Sequence, residues 1–220
     1  MITDERTAAF IESFDAGNTE LLEELERYAL ANRVPIIKRP VQSLLKFVLS
    51  AKHPERILEV GTAIGFSAIL MAEYGREVSQ IVTIENYEKR IPIALDNFKR
   101  AGMADRITLI AEDAAEALES LCKSDERFDM IFVDAAKAQY INYLPFVKAM
   151  LNDGGLLISD NVLQDGDIIQ SRFAVTRRDR TIHSRMREYL RVISDDPELV
   201  TTILPIGDGV TMSVKRSEHA

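Results

Sequence analysis

The chain of 220 residues is long enough for one ordinary domain, and its 46% hydrophobic and 28% charged residues are typical of a globular protein. Its apolar runs are far shorter than the ~18 residues of a membrane-spanning helix, and its N-terminus MITDERTAAF has no hydrophobic signal segment. Its single cysteine excludes an intramolecular disulfide. We therefore expect a cytoplasmic enzyme or binding domain without a membrane partner.

The net charge of −8 is unevenly distributed along the chain. Seven arginines and two acidic residues lie between Arg172 and Arg191, so this segment carries +5 and the rest of the chain carries −13. A local excess of positive charge on an acidic chain indicates either a solvated helix face or a polyanionic partner. The composition leaves both interpretations open.

The N-terminal quarter of the chain predicts three helices. Thr3 is a candidate cap for the first helix, which carries Phe10 and Phe14, and the third helix follows Pro40. We expect one domain over residues 1–220, in which a helical extension, residues 1–52, precedes an α/β core, residues 53–220.

Short apolar runs then alternate with segments of helical spacing. The runs are Ile57–Val60, Ile81–Ile84, Ile107–Ile110, Met130–Val133 and Leu156–Ser159, and the helical segments are Ser67–Tyr74, Glu88–Arg100, Ala114–Leu121 and Tyr140–Met150. This alternation predicts a parallel sheet with helices on both faces and right-handed crossovers.

The last fifth of the chain breaks the alternation. A long polar helix is predicted from about Arg172 to Ile193, and two apolar runs follow it, Val200–Ile206 and Val210–Val214. A Gly-Asp-Gly sequence joins the two runs, which is typical of a β-hairpin. We expect this hairpin to add an antiparallel edge to the sheet.

A nucleotide-type site is predicted where the first strands end. Gly61 and Gly65 allow a tight turn between strand and helix, and Glu85, at the end of the next strand, can accept both hydrogen bonds of a ribose diol. The middle glycine of a dinucleotide fingerprint is replaced by alanine, and Glu59 would repel a pyrophosphate but attract the cationic groups of S-adenosylmethionine. This favours the methyl donor. Asp113 follows the third strand and is either a helix cap or a contact for the adenine amino group.

A cation site is predicted at the ends of the fourth and fifth strands. Asp134 ends the fourth run, and Asp160 and Asn161 end the fifth. Taken singly, each is typical of a strand-end cap, but two carboxylates and an amide oxygen together suit Mg²⁺ or another divalent cation such as Mn²⁺. Lys137, three residues after Asp134, is then a candidate base for an acceptor hydroxyl or a stabiliser of its oxyanion.

The motifs Glu59–Gly65, Thr83–Glu85, Asp134–Lys137 and Asp160-Asn161 resemble those of the metal-dependent O-methyltransferases of the catechol and caffeoyl-CoA type. The resemblance covers nearly the whole chain. It implies an α/β class I methyltransferase fold, which is Rossmann-like and has a mostly parallel seven-stranded sheet, an antiparallel C-terminal strand and helices on both faces.

The resemblance also implies roles for individual residues. It implies that Asp134, Asp160 and Asn161 hold the divalent cation and that Lys137 and Asp134 are catalytic. It implies contacts with S-adenosylmethionine from one set of residues: Ile37, Glu59, Gly61, Gly65, Ser67, Glu85, Asp113, Ala114 and Asp134. The sequence departs from the family at Glu112, where relatives usually have glycine.

Within this family the sequence is most similar to the bacterial branch that methylates 5-hydroxyuridine at the tRNA wobble position. The similar stretches are 34–37, 134–140, 160–163, 206–209 and the arginine-rich segment after Gln170. The resemblance implies a tRNA anticodon loop as partner, a homodimer and no DNA partner. The candidate RNA contacts are five arginines: Arg172, Arg177, Arg178, Arg180 and Arg185.

Two other functions are compatible with the same residues. A small-molecule O-methyltransferase acting on catechols would use the same donor and cation. In a non-catalytic adenosine-binding module, the strand-end residues Asp134, Asp160 and Asn161 would be caps only.

Overall fold

The computed structural model describes residues 4–217, and the predicted cap Thr3 lies outside this range. The helices are α1 (Glu5–Glu12), α2 (Glu20–Asn32), α3 (Arg39–Lys52), α4 (Phe66–Tyr74), α5 (Ile91–Arg100), α6 (Ala114–Lys123), α7 (Tyr140–Met150) and α8 (Arg180–Asp195). The strands are β1 (Arg56–Val60), β2 (Gln80–Ile84), β3 (Ile107–Ile110), β4 (Phe128–Val133), β5 (Leu151–Ser159), β6 (Leu199–Leu204) and β7 (Val210–Lys215). No helix within this range has the length and the apolar content needed to cross a membrane.

The seven strands follow the order β3-β2-β1-β4-β5-β7-β6. Pairing is parallel from β1 to β2, from β2 to β3 and from β4 to β5, and it is antiparallel from β7 to both β5 and β6. The predicted Rossmann-like sheet with an antiparallel C-terminal edge is therefore confirmed. The hairpin follows from Gly207 and Gly209, whose positive φ angles of 56° and 88° let the chain reverse.

The chain forms two compact units. One spans Arg6–Ala117 and contains β1 to β3, and the other contains residues 118–217 together with residues 4 and 5. In the first unit α4 is buried from Phe66 to Ala72, because it is apolar on all sides. In the second unit, β4 and β5 are almost completely buried where they pair.

One expectation about the helices is wrong. The long polar helix begins at Arg180, eight residues later than predicted. Two turns replace its first part, in which the carbonyl of Ser171 accepts the N–H of Ala174 and the carbonyl of Thr176 accepts the N–H of Asp179. Phe10 and Phe14 do not face a core: they are 66% and 74% exposed and pack edge to face against each other at 5.1 Å.

A half-buried lysine connects elements of the second unit. The ammonium of Lys148, on α7, contacts Asp196 at 2.8 Å and Glu198 at 2.9 Å, between α8 and β6. Burial raises the pKa of Asp196, but the hydrogen bonds from Lys148 and from the backbone N–H of Glu198 outweigh burial, so that the pKa lies below its usual value. The ionised form of Asp196 therefore stabilises the folded chain.

Replacing Lys148 with methionine removes the charge and keeps most of the packing. The pKa of Asp196 is lower in the folded state than in the unfolded state. Its ion pair with Lys148 therefore contributes to stability above the unfolded-state pKa, and this contribution is lost as the pH falls through the folded-state pKa. We expect Lys148→Met to lower the free energy of unfolding by about 1 kcal/mol at pH 7 and by less near pH 3. Urea unfolding at both pH values measures this. Lys123→Met, which breaks an exposed ion pair with Glu119, is the control and should lower the free energy of unfolding by clearly less than Lys148→Met does.

Candidate active site

The turn after β1 has the backbone geometry of a ligand-binding turn. Gly61 and Gly65 have positive φ angles of 107° and 85°. The N–H groups of Gly61 and Thr62 both donate to the carbonyl of Ile84 at 3.1 Å, and Gly65 donates to Thr62 at 2.8 Å. A Cβ atom on Gly65 would lie 2.5 Å from the Phe98 ring, so only glycine fits there.

Glu85 closes this turn from the end of β2. Its Oε2 accepts the N–H of Ala63 at 2.9 Å, and its Oε1 accepts those of Asn86 at 3.0 Å and Tyr87 at 2.9 Å. The carboxylate is half-buried and held in one orientation by three backbone donors. Each carboxylate oxygen has two lone pairs, so Oε2 retains one for a ligand hydroxyl group, whereas both lone pairs of Oε1 are already used by backbone N–H groups.

Glu59 lies inside the sheet, in the middle of β1. It is fully buried, and its Oε2 accepts a 2.5 Å hydrogen bond from the Thr83 hydroxyl. The Thr62 and Thr83 hydroxyls are 2.6 Å apart, and because Thr83 donates to Glu59, Thr62 donates to Thr83. This chain of hydrogen bonds ties Glu59 to the glycine turn. Its contact with a cationic methyl donor stays a prediction.

The other residues that are predicted to contact the methyl donor differ in exposure. Asp113 is exposed and caps α6, since its Oδ1 accepts the N–H of Ala115 at 2.9 Å and its Oδ2 lies 3.4 Å from Asn86 Nδ2. Ala114 is the first residue of α6. Ile37 and Ser67 are buried, with 3% and 8% exposure. The capping interpretation of Asp113 is confirmed, and its adenine contact stays a prediction.

In the second unit, the ends of β4 and β5 are held together around Asp160. Its backbone N–H donates to the carbonyl of Val133 at 2.9 Å. The buried Tyr140 hydroxyl lies 3.2 Å from the carbonyl of Val133, 3.0 Å from that of Asp160 and 3.3 Å from the N–H of Ala135. The sequence gives no signal for this role, because Tyr140 is simply the first residue of an amphipathic helix.

The carboxyl groups of Asp134 and Asp160 influence each other electrostatically. Asp160 is 1% exposed, and burial together with the nearby charge of Asp134 raises its pKa to about 8. The backbone N–H of Asn161 and the ammonium of Lys137 act in the opposite direction. Burial also raises the pKa of Asp134, and Asp208 contributes to that rise. A divalent cation beside these two carboxyl groups would favour their ionised forms and so counteract the rise in both pKa values.

Asn161 and Asp208 complete this cluster. Asn161 adopts a left-handed conformation with φ 57°, and its Nδ2 donates to Asp208 Oδ2 at 3.2 Å. This hydrogen bond uses the NH₂ group of the Asn161 amide, and the amide oxygen remains available as an acceptor. Asp208 belongs to the hairpin turn and is a site residue that the sequence analysis missed. The Gly-Asp-Gly sequence indicates the turn but does not indicate which residues the turn contacts.

Lys137 lies in a short 3₁₀ helix, Lys137–Gln139, directly after β4. Its positive charge lowers the pKa of both Asp134 and Asp160, so the ammonium interacts electrostatically with both carboxyl groups. The guanidinium of Arg185 donates to the carbonyl of Ala138 at 3.0 Å and so fixes the 3₁₀ helix to α8. The sequence predicts Arg185 as an RNA contact, whereas the structure gives its side chain this positioning role.

The residues Asp134, Asp160 and Asn161 fit a divalent cation by chemistry and by charge. They offer hard oxygen ligands, and the two buried carboxyl groups lack sufficient compensating charge. Within residues 4–217, no group of three or more His, Cys, Asp or Glu side chains forms a metal site. A cation here would therefore depend on the Asn161 amide as well as on carboxylates.

The remaining predicted RNA contacts lie before α8 and in its first turn. Arg172, Arg177 and Arg178 are exposed, and Arg180 is half-buried with its guanidinium carbon 5.8 Å from the Phe173 ring centroid. These side chains are accessible to a ligand. Their contact with RNA stays a prediction.

Comparisons with known proteins agree with this arrangement. A family model described as "O-methyltransferase" matches residues 12–216. A crystal structure from Staphylococcus aureus, assigned as a caffeoyl-CoA O-methyltransferase, has a TM-score of 0.87 and 31% identity, covering 96% of this chain and 100% of that one. An O-methyltransferase from Bacillus cereus in complex with SAH has a TM-score of 0.84 and 25% identity over 98% and 100% of the chains. The catechol O-methyltransferase of Mycobacterium tuberculosis is 28% identical over 94% of each chain.

Gly209 provides a test of how the hairpin positions Asp208. The carbonyls of Asp208 and Gly209 accept the N–H groups of Leu163 and Val162 at 2.9 Å, and a Cβ atom on Gly209 would overlap the Leu163 side chain. We expect Gly209→Ala to lower the free energy of unfolding by about 2 kcal/mol more than Gly154→Ala. Gly154 is the matched control, because its φ of 68° is also positive but open space surrounds its Cβ position. Equal losses in urea unfolding would show that the hairpin does not constrain residues 162–163.

Proposed function

Since this chain belongs to the O-methyltransferase family, we propose that it methylates the 5-hydroxyl of 5-hydroxyuridine at the wobble position of tRNA. At the level of reaction class, it is an S-adenosylmethionine-dependent O-methyltransferase of the caffeoyl-CoA and catechol type. The observation that supports a metal-assisted reaction is the pair of buried carboxyl groups at Asp134 and Asp160 with Lys137 beside them.

In this proposal the first unit binds the donor. S-adenosylmethionine supplies the methyl group as a sulfonium. The glycine turn 61–65 lets the donor approach the backbone closely, and the remaining lone pair of Glu85 Oε2 accepts a hydrogen bond from a ribose hydroxyl. Because Glu85 is already oriented by three backbone N–H groups, little side-chain entropy is lost when the donor binds.

The second unit holds the acceptor in this proposal. Asp134, Asp160 and the Asn161 amide would hold Mg²⁺ or another divalent cation such as Mn²⁺, and when bound the cation would orient two adjacent acceptor oxygens and favour deprotonation of the hydroxyl. Asp208 keeps Asn161 in place through its hydrogen bond to Nδ2. The ammonium of Lys137 stabilises the negative charge that develops on the acceptor oxygen.

The arginine-rich segment supports RNA as the acceptor. Residues Arg172–Arg191 carry +5 on a chain of net charge −8, and an acidic enzyme that binds a polyanion needs a local positive surface. A 5-hydroxyuridine base offers its hydroxyl and the adjacent carbonyl as a chelating pair. An anticodon loop presents such a base unstacked. A cytoplasmic homodimer is proposed on the same resemblance.

The cation site is tested by Asp160→Asn, which keeps the shape of the side chain and removes its charge. We expect methyl transfer from labelled S-adenosylmethionine to fall by roughly 100-fold or more at saturating Mg²⁺, because the cation loses a charged ligand. Asp153→Asn, at an exposed position of β5, is the matched control and should keep wild-type activity. Full activity of Asp160→Asn, or activity in EDTA, would exclude the metal-assisted mechanism.

The acceptor is tested by direct competition. Wild-type enzyme with S-adenosylmethionine and Mg²⁺ is given hydroxyuridine-containing tRNA and a simple catechol in one reaction, with and without EDTA. We expect the tRNA to be methylated in preference and EDTA to stop the reaction, because the positive segment concentrates the RNA at the enzyme. Methylation of the catechol alone would favour the small-molecule function. Donor binding without methylation of either would favour the adenosine-binding module.

A further inference from the structure

An open groove of about 790 Å³ runs along α8 in the second unit. Arg187, Arg191 and Ser184 line it from the helix, and Arg172 and Ser171 line it from the preceding loop. Ser184, Arg187 and Arg191 share one face of α8, since they are three and four residues apart. We call this surface the arginine groove.

The arginine groove is positively charged and rich in hydrogen-bond donors. Three guanidinium groups and one carboxylate, that of Glu188, line it, so its net charge is +2. The Ser171 hydroxyl adds a neutral donor, whereas the Ser184 hydroxyl already donates to the carbonyl of Arg180 at 2.9 Å. Guanidinium groups bind phosphate oxygens in pairs of parallel hydrogen bonds, so the groove fits phosphate groups rather than cations or apolar molecules.

One of these arginines is already held in place. Arg187 Nη1 donates to the carbonyl of Ile168 at 3.0 Å and lies 3.5 Å from that of Gln170. The carbonyl of Gln170 also contacts Nε2 of the buried His183 at 3.1 Å. These bonds orient the Arg187 guanidinium before any ligand arrives, which reduces the entropy lost on binding.

An exposed aromatic ring lies in the loop that contributes Ser171 and Arg172. Phe173 is 83% exposed, and the guanidinium of Arg180 lies 5.8 Å from its ring centroid. An aromatic ring beside cations is the arrangement on which proteins stack unpaired nucleobases.

We propose that the arginine groove binds successive phosphates of a single-stranded RNA loop and that Phe173 stacks on an unpaired base of the same loop. This inference rests on the proposed RNA acceptor and names the surface that receives it. It differs from the sequence prediction in adding Arg187, Arg191 and Phe173 and in leaving out Arg185, which is not among the residues that line the groove.

The phosphate contacts are tested with the double variant Arg172→Gln/Arg191→Gln, since both arginines are exposed. Fluorescence anisotropy measures the affinity of the full-length protein for an unmodified anticodon stem-loop over a range of salt concentrations. We expect the Kd to rise about 10-fold or more and the slope of log K against log salt to fall by about 2. Arg127→Gln/Arg216→Gln removes the same charge from exposed positions outside the groove and should change the Kd by less than about 3-fold.

The stacking contact is tested with Phe173→Ala in the same assay. We expect the Kd to rise about 5-fold or more with an unchanged salt slope, because stacking releases no counterions. Phe173→Trp should restore the affinity, since the larger ring offers an equivalent stacking surface. A loss of affinity that Trp does not restore would contradict stacking.

The outcomes separate the groove from the proposed function. Methylation of the free 5-hydroxyuridine nucleoside by the groove variants should stay within about 2-fold of wild type, because the nucleoside has no phosphate groups for the groove to bind. If RNA binding depends on the groove but the wild-type protein methylates no hydroxyuridine, the groove proposal is supported and the proposed function is contradicted. Three results would contradict RNA binding in the groove. The first is an unchanged Kd in the double variant, and the second is an equal loss of affinity in the control variant. The third is competition by tripolyphosphate that is as strong as competition by RNA at equal phosphate concentration.

Discussion

The buried proximity of Asp134 and Asp160 is the constraint on which the second unit depends. Burying two carboxyl groups is unfavourable unless charge or hydrogen bonds compensate them, and here burial raises both pKa values, that of Asp160 to about 8. The strand ends cannot separate to relieve this repulsion, because the Tyr140 hydroxyl and the bond from Asp160 N–H to Val133 hold them together. The fold thus maintains an acidic pair at the strand ends, which is the pair that the proposed function assigns to a cation.

The turn in the first unit shows the same preorganisation with different groups. The Glu85 carboxylate accepts three backbone hydrogen bonds, and Glu59 is linked below the turn through Thr83 and Thr62. Two acidic side chains one strand apart thus have different tasks. Glu85 is half-buried at the strand end, where a ligand can reach it, whereas Glu59 is fully buried and supports the backbone.

The arginines of the positive segment also divide into groups with different tasks. Arg185 holds the 3₁₀ helix that carries Lys137, and Arg187 contacts the backbone carbonyls of Ile168 and Gln170. Arg172 and Arg191 are exposed and line the groove. A charge count treats all of them alike, and only their contacts distinguish positioning residues from candidate ligand contacts.

The sequence by itself determined the order and type of the strands, the glycine turn and the acidic strand ends, because apolar periodicity, glycine and strand termini are local properties. It did not determine that α8 begins at Arg180, that Tyr140 joins two strand ends, or that Asp208 contacts Asn161. These features depend on residues up to 47 positions apart, as in the bonds from Arg185 to Ala138 and from Asn161 to Asp208. Only the tertiary structure decided them, since the direction of a side chain at such contacts is set by long-range packing and not by its neighbours in the chain.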